Sequence, residues 1–192
     1  EKLLYAEGEE LEALYNIVVV GGGPTGVELA GAFAEIKRDI LPKDYHRVDF
    51  RRLNIYLLEG SQHTLNNMSE ISQKGSFDYL TKMGVTIKLG VFVTDYDGTK
   101  LTMNNGETLQ TKQVIWTAGV TGNVISGLSP ESLSHANRYI VDRHNRVIGY
   151  DHIYAIGDIS VMQTPTYPKG HPQLANVAKN QGILLAKNLV LK

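Results

Sequence analysis

Three observations predict an α/β fold built on a parallel sheet. A short apolar run at residues 15–20 meets Gly21-Gly22-Gly23-Pro24-Thr25-Gly26, and a helical repeat of small residues follows. Two more buried-strand patterns lie at 53–59 and 85–89, separated by a helix-length segment. The period then shortens over 91–110, where Asp97-Gly98 and Asn104-Asn105-Gly106 are hairpin-turn signals. The prediction is a Rossmann-like parallel sheet in which an antiparallel three-stranded meander replaces one crossover helix.

Composition narrows the function classes. The 192 residues carry 19 Lys/Arg against 20 Asp/Glu, a net charge of −1, and no cysteine. That balance argues against a nucleic-acid footprint, which needs a clear excess of basic residues. No apolar run approaches the roughly 18 residues of a membrane span. Zero cysteines removes disulfides, thiolate metal sites and cysteine nucleophiles within this chain. It is compatible with a reducing cytosol.

Each element has a local reason. Residues 1–14 are acidic and amphipathic, with Leu3, Leu4, Leu11 and Leu14 available for packing. Residues 15–20 read as a buried strand. Val27, Ala30, Gly31 and Ala34 fall at i, i+3, i+4 and i+7, a helix whose small face allows close approach to a sheet. Pro42 should end that helix by about Leu41. Residues 43–52 are charged and read as an inserted loop, and 53–59 form a second strand. A helix over 69–83 starts near Ser69, with Gly84 just past its end. Residues 85–89 form a third strand, and the meander strands lie at 91–96, 100–103 and 108–110. A last strand at 114–117 runs into Ala118-Gly119. The Gly/Ser/Pro/Asn-rich stretch 120–136 is the expected domain boundary. Beyond it lie short strand signals at 139–141 and 147–148. A strand at 153–156 ends at Gly157-Asp158, and a helix closes the chain over 174–191.

The glycine turn carries the clearest chemistry. Between a buried strand and a small-faced helix, Gly21 permits the tight turn. Gly23 lets the backbone approach a pyrophosphate, and Gly26 lets helix and strand pack closely. The helix amino terminus offers free N–H groups and a partial positive charge. Pro24, with no N–H to lose, suits the first helical turn. The alternative is an ordinary Gly-rich strand-to-helix turn. Glu59, at the end of the second strand, is placed to accept from both ribose hydroxyls and to repel a 2′-phosphate, which predicts NADH over NADPH. Its spacing from Gly26 exceeds the usual twenty or so residues, and the stretch 43–52 absorbs the excess. The alternative for Glu59 is a solvated strand-end glutamate.

The run from Val19 to Gly31 closely resembles the type II (non-proton-pumping) NADH:quinone oxidoreductases, flavoproteins with two dinucleotide-binding domains. Trp116-Thr117-Ala118-Gly119, Tyr154-Ala155-Ile156-Gly157-Asp158 and the segment from Pro172 to Gly182 resemble them too. The resemblance implies an NADH-binding domain over 1–122 and part of an FAD-binding domain over 123–192. By this likeness the turn from Gly21, with Thr25, Ala118 and Gly119, holds NADH. Gly157 and Asp158 touch FAD, the aspartate binding its ribityl chain, and the helix from Ala175 runs beneath the flavin. A turn aspartate capping the next segment is the other reading of Asp158. Glu28 has two readings: pairing with the helix dipole, or, by resemblance, positioning cofactors and assisting quinone protonation.

Two departures stand out. Family members read Ala-Gln-x-Ala-x-Gln-Gln-Gly near the quinone site. This chain has Ala175-Asn176-Val177-Ala178-Lys179-Asn180-Gln181-Gly182, with asparagine at two glutamine positions. Asn176, Asn180 and Gln181 are the quinone-side candidates. A first FAD-binding βαβ unit and terminal amphipathic helices are also missing, so the chain reads as a fragment. The expectation is an NADH dehydrogenase (quinone) of the respiratory chain as the parent, cytoplasmic and held peripherally on the inner face of the cytoplasmic membrane. The fragment is expected to bind NADH, to lack turnover, not to retain FAD, and to self-associate. The alternatives are a related NADH-dependent flavoprotein reductase with another acceptor, or a non-catalytic NADH-binding module. The six histidines show no metal-ligand spacing.

Overall fold

The computed structural model describes residues 2–190. Glu1, Leu191 and Lys192, at the ends of the expected first segment and closing helix, lie outside the described residues. The chain divides into two units, Glu1–Gly119 and Val120–Lys192.

The first unit is built on a four-stranded parallel sheet. Helix α1 (Gly8–Leu14) leads into β1 (Asn16–Val20), followed by α2 (Pro24–Glu35), β2 (Asn54–Glu59), α4 (Glu70–Lys82) and β3 (Val85–Leu89). The meander β4 (Val93–Tyr96), β5 (Lys100–Met103), β6 (Thr108–Gln110) then precedes β7 (Gln113–Trp116). Spatial order is β3-β2-β1-β7, with the meander forming its own antiparallel sheet.

All five β1 residues are buried, as expected of a strand covered on both faces. Alternation sorts its side chains. Val19, with Ile55 and Leu57 of β2, packs on Ala30, Ala34 and Leu80 of the two helices. Val18, Val20 and Leu58 instead pack on Leu101 and Met103 of the meander. Small residues let α2 lie close: its buried positions are Gly26, Ala30 and Ala34. Helix α4 begins at the Ser69 cap, whose hydroxyl accepts from the Ser72 N–H.

Two expectations about residues 36–52 change. The helix does not stop before Pro42. A π-helical turn, Ile36–Ile40, follows α2, and a short helix α3 (Leu41–Asp44) restarts with Pro42 in its first turn. Proline deep inside an α-helix would lack its N–H and clash with a carbonyl four residues back. Widening the turn ahead of it makes Pro42 an initiating residue instead. Nor is the following stretch a purely solvated loop. Phe50 is buried with Tyr15, Ile17 and Leu53, and the Arg52 guanidinium lies 4.7 Å from the Tyr15 ring centroid.

The second unit has a parallel pair, β8 (Tyr139–Val141) and β9 (Ser160–Met162), and helix α5 (Ala175–Val190). Its core joins Tyr139, Val141, Val147, Ala155 and Met162. The strands expected at 147–148 and 153–156 reduce to single bridges, Val141–Val147 and Arg146–Tyr154. Gly157, at φ +69°, then turns the chain into a 3-10 segment (Gly157–Ile159) that leads into β9. Asp158 therefore precedes a strand rather than ending one. The apolar pattern of 153–156 reflects burial of Ala155 in the core, not an extended ladder.

Candidate functional site

The parallel strands of the first unit end together, with Val20 opposite Leu58 and Trp116, and Glu59 opposite Leu89. Strands β1 to β3 step one way across the sheet and β7 lies on the other side of β1. Ligands of open α/β sheets bind at such a reversal, beyond the carboxyl ends of the strands. Gly21 to Gly26 leave β1 there. Gly21 has φ +110°, and its N–H donates to the Leu58 carbonyl at 2.8 Å.

The three motif glycines occupy different surroundings. A Cβ on Gly26 would lie 1.8 Å from the Gly21 carbonyl oxygen, and one on Gly21 would lie 2.8 Å from the Ala118 nitrogen. A Cβ on Gly23 would meet nothing within 4 Å. The first and third glycines are therefore needed by the fold, whereas the second leaves backbone open to solvent. Gly23 is also the N-cap of α2, and no side chain caps that terminus. Its first-turn N–H groups and partial positive charge are free for an anion. Pro24 and Thr25 are exposed beside it.

Glu59 faces this turn. One carboxylate oxygen accepts from the Gly22 N–H at 2.5 Å and the other from the Ser61 N–H at 2.7 Å. Each oxygen keeps lone-pair capacity for a further donor. The Thr117 hydroxyl, within reach of the Val20 and Gly21 carbonyl oxygens at 2.9 and 3.1 Å, ties the end of β7 to the same turn. Ala118 and Gly119 follow it. The structure thus brings Gly21, Gly23, Pro24, Thr25, Gly26, Glu59, Ala118 and Gly119 to one edge of the sheet. Glu28 is exposed and stands beyond the first turn of α2, which contains no acidic residue. Thr117 lay inside a recognised motif, but its bonding became evident only from the fold.

In the second unit, Asp158 is exposed while its backbone is held. Its carbonyl oxygen accepts from Arg138 Nε at 2.9 Å and Gln173 Nε2 at 3.2 Å. A second Arg138 nitrogen donates to the Ser160 carbonyl at 2.6 Å. Partial burial pushes the Arg138 pKa down, opposed by the nearby Asp158 charge. Gln181 is buried, and its Oε1 accepts the Gly157 N–H at 2.7 Å. The turn is clamped from two sides, leaving the Asp158 carboxylate outward. Asn176 and Asn180, at i and i+4 of α5, share an exposed face with Ala175 near its start. Gln181 is directed inward and not grouped with them. Arg138 and Gln173 were invisible to sequence reasoning, because their acceptors are backbone carbonyls distant in the chain. Among the described residues, no group of three or more His, Cys, Asp or Glu is placed to hold a metal ion.

Known proteins resemble this chain over most of its length. The family profile described as "Pyridine nucleotide-disulphide oxidoreductase" matches residues 2–182. The type II NADH:quinone oxidoreductase Ndh of Mycobacterium tuberculosis is 28% identical over 166 residues, covering 82% of this chain and 36% of that protein. The type II NADH:quinone oxidoreductase of Staphylococcus aureus is 29% identical over 183 residues, covering 91% of this chain and 43% of that protein. The chain thus spans about two-fifths of the length of these curated relatives. Among solved structures, NDH2 from Plasmodium falciparum in complex with NADH aligns with a TM-score of 0.71 at 24% identity, over 83% of this chain and 34% of that one. A ferredoxin reductase from Rhodopseudomonas palustris aligns at 0.69 and 21% identity, over 91% of this chain and 41% of that one. These last two likenesses speak to fold, which is the mixed α/β architecture expected. With the profile match running through both units, the chain belongs to the pyridine nucleotide-disulphide oxidoreductase family.

Proposed function

We propose that the protein to which this chain belongs oxidises NADH by hydride transfer to FAD and passes the electrons to a quinone. The segment itself chiefly binds NADH. The observation that carries the reading is the uncapped amino terminus of α2, open at Gly23, beside a Glu59 carboxylate fixed by two backbone N–H groups. The names of the curated relatives support the choice of donor and acceptor.

Hydride transfer between two bound rings needs no side-chain acid or base, so the chain contributes position. Gly21 and Gly26 set the turn, Gly23 admits the pyrophosphate, and the α2 N–H groups bind its charge, with Pro24 and Thr25 at the rim. Glu59 accepts from the ribose hydroxyls and rejects a 2′-phosphate. Ala118 and Gly119 border the nicotinamide half. The residues of the second unit suit FAD, since the clamped turn at Gly157 presents a free carboxylate on Asp158 to the hydroxyls of a ribityl chain, next to Ala175. When bound, FAD would supply the hydride acceptor and hand the two electrons on to the quinone. Asn176 and Asn180 offer amide donors on the quinone side, Gln181 acts through the Gly157 turn, and Glu28, exposed on α2, is the candidate for positioning cofactors.

The domain assignment follows: NADH binding in the first unit and part of an FAD domain in the second. Among the described residues no helix is long and apolar enough to cross a membrane. Peripheral association of the parent with the inner face of the cytoplasmic membrane is part of the proposal and rests on the family resemblance.

Titration of the chain with NADH and NADPH tests the proposal. NADH should bind at least tenfold more tightly, and E59Q should narrow the gap by weakening NADH. Equal affinity of the wild type for both nucleotides would remove the role given to Glu59, and binding of neither would remove the NADH reading.

A further inference from the structure

Beyond the ends of β2 and β3 the two chains remain side by side. The Val91 N–H donates to the Glu59 carbonyl at 3.1 Å and the Gly90 N–H to the Ser61 carbonyl at 2.9 Å. Phe92 is the next residue. Its N–H donates to Asn104 Oδ1 at 2.8 Å, and its carbonyl accepts the Asn104 N–H at 2.9 Å. The backbone of Phe92 is thereby pinned on both sides. Its neighbours Val91 and Val93 pack into the core shared by the sheet and the meander. Phe92 itself stays 60% exposed.

One part of the ring is covered, and the covering residue is informative. A Cβ on Gly60 would lie 2.3 Å from Phe92 Cε1 and 2.9 Å from Cδ1. The ring therefore lies against the bare backbone immediately after Glu59. An aromatic side chain fixed at its backbone and resting on a glycine is held in place with its ring largely open to water. It is well suited to a flat ligand, because stacking on an aromatic ring returns the apolar area to cover.

We propose that Phe92 is the stacking platform for the base of the bound dinucleotide. This rests on the NADH reading above. Glu59, the residue assigned to the adenosine ribose, directly precedes Gly60, so a base attached to that ribose would come within reach of the exposed Phe92 ring. Affinity for the adenosine half then comes largely from the exposed ring.

The test is calorimetric titration of the wild type, F92A, F92L and F92Y with ADP-ribose, and with reduced nicotinamide mononucleotide, which lacks adenosine. F92A and F92L should bind ADP-ribose about tenfold more weakly, F92Y within about twofold of wild type, and all four should bind the mononucleotide alike. F92L keeps an apolar contact on Gly60 without a flat face, so it carries the test if F92A is unstable. Wild-type affinity of F92L for ADP-ribose would overturn the platform while leaving the NADH site intact. Equal weakening for both probes would also overturn it, as general damage to the site. Failure of the wild-type chain to bind either probe would instead overturn the NADH reading itself.

Discussion

Gly26 has no room for a side chain, since the missing Cβ would stand 1.8 Å from the Gly21 carbonyl oxygen. G26A must therefore push α2 away from β1 and should lower stability by about 1–3 kcal/mol, as overpacking of a tight contact does. G23A makes the complementary case, because nothing lies within 4 Å of that position. Its melting temperature should stay within a degree or two of wild type while NADH affinity falls at least tenfold. Thermal melts and NADH titrations of the two variants check both expectations. A G23A variant that binds NADH normally would refute the close approach of the pyrophosphate. The roles of these glycines were legible in the sequence because the backbone demands of a strand-to-helix turn are local. The bonds of Glu59 to Gly22 and Ser61 were not, since the same glutamate at a strand end fits a solvated position equally well.

Elements follow their local signals except where a neighbour intervenes. The turn after β8 is a local device: the Asp142 carboxylate accepts from the His144 and Arg146 N–H groups at 2.8 and 3.0 Å. Burial works to raise the Asp142 pKa, but those two N–H groups and the charges of Arg146 and His144 outweigh it and hold it below the usual aspartate value. A carboxyl whose pKa is depressed in the folded state stabilises that state above the unfolded value of about 3.9. The increment is lost as pH falls through the lower folded pKa. D142N keeps an oxygen acceptor but does not titrate. Its melting temperature should fall less than wild type's between pH 6 and pH 3, and parallel curves would contradict the assignment. The π-helical turn before Pro42 shows the opposite case. The proline was visible, but whether the chain would stop or widen its helix depended on Phe50, Leu41 and Val48 closing a cluster with Tyr15 and Ile17.

At the scale of the molecule, handedness explains why the meander lies where it does. Right-handed crossovers from β1 to β2 and β2 to β3 put α2 and α4 on one face. The return from β3 to β7 travels the other way across the sheet, so the same handedness delivers β4, β5 and β6 to the opposite face, where Leu101 and Met103 complete the core. The second unit also leaves apolar surface open. Along α5, Ile183, Leu184 and Leu189 are each more than 40% exposed, and among its described residues only Gln181 is buried. Apolar surface of this kind tends to be covered by association. Light scattering of the chain at high concentration should report a dimer or larger species, and a clean monomer would refute this.

What the sequence determined by itself was the order of the strands and of the helices that pack on the parallel sheet in the first unit, the meander, and the identity of the glycine turn. All of these depend on periodicity, turn chemistry and backbone freedom within a few residues. The tertiary structure decided which polar groups meet: Glu59 with Gly22, Thr117 with the Val20 and Gly21 carbonyls, Arg138 and Gln181 with the turn at Gly157, and Phe92 with Gly60. It also turned two expected strands near 150 into single bridges and set Asp158 before a strand. The physical reason is common to these cases. A hydrogen bond or ring contact between residues tens of positions apart leaves no periodic trace in the chain, whereas a strand needs a lateral partner that its own residues do not specify.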